Sequence, residues 1–166
     1  MAQITLGGTP TNTNGNLPAN GSTLNDHTLT KSDMSPISLS EQKGKKVILN
    51  IFPSVDTSVC ATSVRTFNEK AAAFNDTIVI CVSKDLPFAL ARFCGAEGIE
   101  NVVVASDFRD PSFAEELGLL ITDGPFAGLD ARAIVVLDEE GKVAYSELVP
   151  EVGQEPGYDA AIAALQ

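Results

Sequence analysis

The feature that most constrains this chain is an alternation between short apolar runs and longer segments with helical spacing. Val47-Ile-Leu-Asn-Ile-Phe52 is a partly β-branched run that stops at Pro53, as a buried strand does. From Cys60 onward, Val64, Phe67, Ala71 and Phe74 recur at the helical period, leaving Arg65, Asn68, Glu69 and Lys70 on the polar side. Thr77 to Val82 reads as a second buried strand. Pro87 to Cys94 reads as a short helix with Pro near its start and Gly95 just past its end. Val102 to Ala105 is a third strand and Pro111 to Leu117 another helix. Ala133 to Leu137 and Val143 to Leu148 are strands joined by a turn at Glu139 to Lys142, and Tyr158 to Leu165 is the last helix. This order predicts an α/β fold of the thioredoxin-like kind, with a central mixed sheet flanked by helices.

Two stretches carry weaker signals. Residues 1–25 are rich in Gly, Thr, Asn and Pro, with a short apolar alternation at Ile4 and Leu6 that predicts an N-terminal β-hairpin extension. Ser, Pro and Lys near Asp33 to Lys46 suggest a long connection. A length of 166 residues fits a single domain, 1–166, with one core.

Charge and composition exclude several functions. With 11 basic against 22 acidic side chains, a net charge near −11 repels phosphate backbones and anionic lipid, so nucleic acid is not an expected partner. No apolar run approaches the ~20 residues of a membrane helix, so no membrane is expected either. The first basic residue is Lys31, which leaves the N-terminus without the charged region of a secretory signal and predicts a cytoplasmic location.

Three cysteines, an odd number, do not form a secreted disulfide framework, and a single histidine, His27, makes no zinc-type cluster. No metal or other cofactor is expected. His27, between Asp26 and Thr28, reads as a turn residue, without the partner that a Cys-His hydrolase would need. Cys81 lies inside an apolar strand, where a cysteine behaves as a small hydrophobe.

Cys60 is different because of its position. A cysteine nucleophile reacts as the thiolate and needs a site that favours the anion. In Pro53-Ser-Val-Asp-Thr-Ser-Val-Cys60, Thr57 is the expected N-cap, which puts Cys60 in the first helical turn, where unpaired amides and the macrodipole favour negative charge. Those amides and the Thr57 hydroxyl are placed to hold two oxygens beside the sulfur, and Pro53, which has no amide donor, to shield it from water. The residues alone also allow a bland reading, in which Cys60 merely begins the buried stripe continued by Val64 and Phe67. The same choice stands for Cys94, at a helix C-terminus whose dipole disfavours a thiolate.

The segment from Pro53 to Cys60, followed by Ala-Thr-Ser-Val-Arg-Thr-Phe-Asn68, resembles the peroxidatic segment of the thiol peroxidases of the atypical two-cysteine peroxiredoxin group. The resemblance extends through Ser-Lys-Asp-Leu-Pro-Phe88, Arg92-Phe-Cys-Gly-Ala96, Asp123-Gly-Pro125 and Leu129-Asp-Ala-Arg-Ala133, from about Asn16 to the C-terminus. It implies a peroxidase in which Cys60 is the peroxidatic cysteine, supported by Pro53 and Thr57, and Arg132 is the cation that reaches it. It further implies that Cys94 resolves the Cys60 sulfenic acid in an intrachain disulfide, that thioredoxin is the reductant, and that the chain forms a homodimer. Such a disulfide needs Cα atoms within about 7 Å, so both helix ends are expected to unwind during turnover. Phe126, in a Gly and Pro loop, is expected to line an apolar entrance for a hydroperoxide substrate together with Phe88 and Phe93. A thiol-disulfide oxidoreductase on this fold would usually carry a C-x-x-C pair, and the chain has none.

Overall fold

A computed structural model describes all of residues 1–166. Its elements are β1 (Gln3–Leu6), β2 (Thr9–Asn12), β3 (Thr28–Lys31), β4 (Pro36–Ser38), β5 (Lys46–Ile51), α1 (Ser58–Ala71), β6 (Thr77–Ser83), α2 (Pro87–Glu97), β7 (Val103–Ser106), α3 (Ser112–Glu116), β8 (Ala133–Leu137), β9 (Val143–Leu148) and α4 (Tyr158–Ala163). Seven strands form one sheet in the order β4-β3-β7-β6-β5-β8-β9, and β1 pairs with β2 in a separate hairpin. The central pairs β5-β6 and β6-β7 are parallel, whereas β5-β8, β8-β9, β3-β7 and β3-β4 are antiparallel. The sheet is mixed, in the thioredoxin-like arrangement that the alternation predicts.

Strand periodicity sorts the interior into two layers. Val47, Leu49 and Ile51 of β5 face one core together with Ile80, Val82, Val135, Phe113 and Leu117, whereas Ile48 faces the other with Val79, Cys81, Ile134, Val64 and Phe67. Helices α1, α2 and α4 cover the second layer. The N-terminal hairpin and α3 contribute to the first. Phe67 is fully buried and meets Tyr158 of α4 edge to face, with ring centroids 5.2 Å apart. Burying a side chain of that size contributes roughly 1.5–3 kcal/mol, and the edge contact adds to it.

Three expectations need correction. The segment from Asp33 to Lys46 is not a bare connection, because β4 and a short 3-10 turn at Ser40–Gln42 lie within it and β4 extends the sheet edge. Its apolar side chains are too few to show a period, yet Ile37 and Leu39 are buried while Met34 is exposed. Helix α2 does not stop at Gly95 but continues to Glu97, and Gly98, at φ +65°, takes the left-handed position that ends it. His27 is no exposed turn residue. It is 4% exposed, with its ring nitrogens 2.9 Å from Asp110 and 2.8 Å from Glu116 and its ring edge-on to Phe113. There it ties the segment before β3 to α3, on the opposite layer from Cys60.

Candidate active site

Pro53 ends the run of β5 and is buried, and the turn that follows delivers the chain into α1. Thr57 occupies the N-cap position with extended backbone, φ −97° and ψ 146°, so Cys60 is the third residue of the helix, within its first turn. The Thr57 hydroxyl does not cap the helix, contrary to the usual role of that residue type. It donates instead to the Ser54 carbonyl at 3.0 Å, closing the turn on itself. The first-turn amides therefore keep their donor capacity.

Arg132 reaches this helix start from just before β8. Its Nη2 donates to the Cys60 sulfur at 3.2 Å, its Nε donates to the Val152 carbonyl at 2.9 Å, and its Nη1 has no protein partner. The side chain is 1% exposed and is the largest among the fully buried residues. A guanidinium stays charged when buried, so it offers any negative charge on sulfur a fixed partner in a low-dielectric surrounding. A buried donor is costly to leave unpaired, so Nη1 is available to a hydrogen-bond acceptor bound next to Arg132.

Arg132 also lines a groove of about 250 Å³, together with Thr57, Ser58, Val59 and Phe126 and with Leu6, Gly7, Glu151, Val152 and Gly153, while Cys60 lies beneath the surface and is not part of that lining. Of the three aromatic residues expected at the entrance, Phe126 is there. Phe88 stands 71% exposed near the start of α2 and Phe93 is buried under it, and neither lines the groove. Their shared apolar character is visible in sequence, but Phe88 and Phe93 belong to a different helix surface.

The far wall was not legible in the sequence. Glu151 accepts from the Thr5 hydroxyl at 2.5 Å and from the amides of Gly7, Gly8 and Gly153 at 2.9, 3.1 and 3.2 Å. The Thr5 hydroxyl and these amides hold its carboxyl down at about 2. Thr5 and Val152 also exchange a backbone hydrogen bond, Val152 N–H to Thr5 carbonyl at 2.8 Å. The hairpin thus grips the loop whose Val152 carbonyl orients Arg132. No local pattern around Glu151 signals its contact with the hairpin, since Thr5, Gly7 and Gly8 lie at the other end of the chain.

Cys94 lies in the last turn of α2, half-buried against the same core layer as Cys60, and all three cysteines are free thiols. Burial pushes the Cys94 thiol up from its usual range. Its carbonyl accepts the amides of Gly98 and Ile99, so opening this helix end breaks both of those bonds. Cys81 is fully buried in β6, with the Asn50 amide 3.6 Å from its sulfur, and desolvation pushes its thiol up to about 12.

Residues 19–162 match the family model described as Redoxin. A thiol peroxidase of Mycobacterium tuberculosis is 65% identical over 165 residues, and one of Corynebacterium glutamicum is 53% identical, each match covering 99% of both chains. Among solved structures, a peroxiredoxin-like protein from Aquifex aeolicus superposes with a TM-score of 0.93 at 38% identity, covering 98% of this chain and 95% of that one. A thiol peroxidase from Chromobacterium violaceum has the same fold at 23% identity, with a TM-score of 0.86 over 97% of this chain and 93% of its own. With the family model spanning most of its length and relatives matched from end to end, the chain belongs to the Redoxin family, among its thiol peroxidases.

Proposed function

We propose that this chain reduces hydrogen peroxide and organic hydroperoxides, alkyl or lipid, with the sulfur of Cys60, as part of antioxidant defence. The observation that carries this reading is the buried Arg132, whose Nη2 is 3.2 Å from that sulfur and which also lines an open groove. Arg132, Thr57 and the first-turn amides hold the peroxide in line with the sulfur. The Cys60 thiolate attacks the nearer oxygen, an S–O bond forms as O–O breaks, and the departing oxygen takes a proton to leave as water or an alcohol. Sulfur is oxidised to the sulfenic acid and the peroxide is reduced. Leu6, Val59, Phe126 and Val152 give the groove apolar wall for an organic substituent.

Cys94 then closes the cycle. Its thiol attacks the Cys60 sulfenic sulfur, water leaves, and the Cys60–Cys94 disulfide forms, to be reduced by the dithiol of thioredoxin. Cys60 is wholly buried and its partner sits inside a helix, which supports local unwinding of both ends during this step. The reading places the reaction in the cytoplasm, on a single domain spanning 1–166 with residues 1–25 as an extension, without metal or cofactor. It assigns a homodimer, for which Leu86 and Phe88 offer exposed apolar surface. No helix is long and apolar enough to cross a membrane.

The test is hydroperoxide consumption with a thioredoxin reducing system, comparing the parent with Cys60→Ser, Cys94→Ser and Cys81→Ser. Cys60→Ser is expected to abolish consumption. Cys94→Ser should complete one turnover and then stall, and Cys81→Ser should turn over like the parent. Consumption by Cys60→Ser, or a disulfide to Cys81 in the oxidised parent by intact-mass and peptide mapping, overturns the assignment.

A further inference from the structure

The Ser83-Lys84-Asp85 segment lies where β6 ends and α2 begins, outside the groove, yet its side chains reach both halves of the site. Asp85 accepts the Ser54 hydroxyl at 2.7 Å and the Val55 amide at 2.9 Å, and its second oxygen also takes the Ser83 hydroxyl at 2.6 Å. Ser54 passes this constraint on. Its hydroxyl accepts the Asp56 amide at 3.1 Å, and its carbonyl accepts both the Thr57 amide at 3.1 Å and the Thr57 hydroxyl at 3.0 Å. An unbroken series of hydrogen bonds therefore runs from Asp85 through Ser54 to Thr57, the residue that starts α1 and stands three positions before Cys60.

Lys84 points the other way. Its ammonium is 3.0 Å from Asp107 and 3.0 Å from Asp130, two carboxylates with no exposed surface, and Asp130 is two residues before Arg132. The contact with Asp130 is an ion pair without the alignment of a hydrogen bond. Burial works against the Lys84 charge, but Asp130 and Asp107 outweigh it and hold the ammonium up.

We propose that Asp85 is a positioning residue that holds Pro53 to Thr57 in the peroxide-reactive arrangement, and that its grip on Ser54 and Val55 opens when Cys60 moves to meet Cys94. This rests on the two-cysteine cycle proposed above. Hydrogen bonds to a carboxylate are the strong ones, and Asp85 gathers three of them at a half-buried position. The only ion pair from the same turn to α2, Asp56 to Arg92 at 2.8 Å, is largely exposed on both sides and adds little. Asp85 also stands two residues before Pro87, where α2 begins, so the residue that anchors the attacking turn is joined through the N-cap Leu86 to the helix that carries the resolving cysteine. Two steps then depend on it in opposite senses. Peroxide attack needs the turn closed, and disulfide formation needs it open.

The experiment measures the two steps separately by rapid quench and intact mass, with hydrogen peroxide, on the parent, Asp85→Asn, Ser54→Ala and Ser54→Thr. The amide of Asp85→Asn cannot accept all three donors, so Cys60 oxidation is expected to slow about tenfold, because small displacements of a reacting group cost that much or more. Conversion of the sulfenic acid to the disulfide should instead quicken, and excess peroxide should yield less sulfinic acid on Cys60. Ser54→Ala should shift both rates the same way by less, and Ser54→Thr, which keeps the hydroxyl, should stay near the parent. If Asp85→Asn does not fold, Ser54→Ala alone decides the matter. The proposal is overturned if the folded variants leave both rates unchanged or slow both together, as general destabilisation would. A parent that leaves peroxide unconsumed overturns the underlying cycle as well, and that failure shows itself before any variant is compared.

Discussion

Cys60 and Cys81 are equally hidden, each 0% exposed, and both pack in the same core layer. Their neighbours differ. Cys81 is in the middle of β6, flanked in the sheet by Asn50 and Val104, and only the neutral Asn50 amide opposes the desolvation, which prevails and drives its thiol to about 12. Cys60 is at a helix start, with a guanidinium 3.2 Å away and a groove above that guanidinium. Burial by itself makes a cysteine inert. Burial against a fixed cation, with an opening beside it, makes a site in which charge on sulfur is compensated and water is largely kept out.

The sharpest way to break this contrast is to remove the cation. Arg132→Met should slow peroxide oxidation of Cys60 by about 10²–10³-fold, the loss typical of removing a preorganised donor from a dry site, measured as a second-order rate by stopped flow or quench. Arg132→Lys should recover only a small part. A lysine ammonium cannot serve the Val152 carbonyl and the Cys60 sulfur in the fixed fork that Arg132 uses. A lysine variant with parent rates would show that charge alone, not orientation, sets the site.

On the other side, Cys81→Ala should cost about 1 kcal/mol of stability, from a small cavity and a lost partner for Asn50, and lower Tm by roughly 2–4 °C. Its peroxide oxidation rate should equal that of the parent. In the native parent, Cys81 should also resist alkylation at pH 7–8 far longer than Cys94, because its thiol is the more strongly raised and the more deeply buried. Rapid labelling of Cys81 would remove the basis of the comparison.

The smallest expected effect concerns the hairpin that backs Arg132. Glu151 titrates at about 2 in the folded chain against an ordinary 4.5, so its ties to Thr5, Gly7 and Gly8 are present in full above pH 4.5 and fade as pH falls toward 2. Glu151 is half-buried at the surface and its carboxylate is screened by solvent, so this is a local loosening. Hydrogen exchange at the Gly7 and Gly8 amides should rise in that window ahead of the β5 amides, and Glu151→Gln should reproduce the rise at neutral pH. Simultaneous exchange of hairpin and core would refute it.

Much of this architecture is written locally. The alternation of strand and helix periods, Pro53 after β5 and the cap position of Thr57 are enough to place Cys60 in a first helical turn, because each depends on residues within a turn or two. Boundaries drifted where competing signals overlapped. Gly95 looked like a stop for α2, but a glycine is tolerated inside a helix, and the left-handed position fell to Gly98. Phe88 and Phe93 showed their apolar character but not their surroundings, and His27 showed neither its burial nor its two carboxylates.

The sequence by itself determined the element order, the mixed sheet and the place of Cys60 in a first helical turn, since periodicity and helix starts are near-neighbour properties. Only the tertiary structure decided what surrounds that cysteine. Arg132 lies 72 residues from Cys60, Glu151 lies 146 from Thr5, and Asp85 lies 31 from Ser54. Those contacts come from strands brought side by side in the sheet and a hairpin folded across its end. They arise from packing of distant surfaces, and no window along the chain contains them.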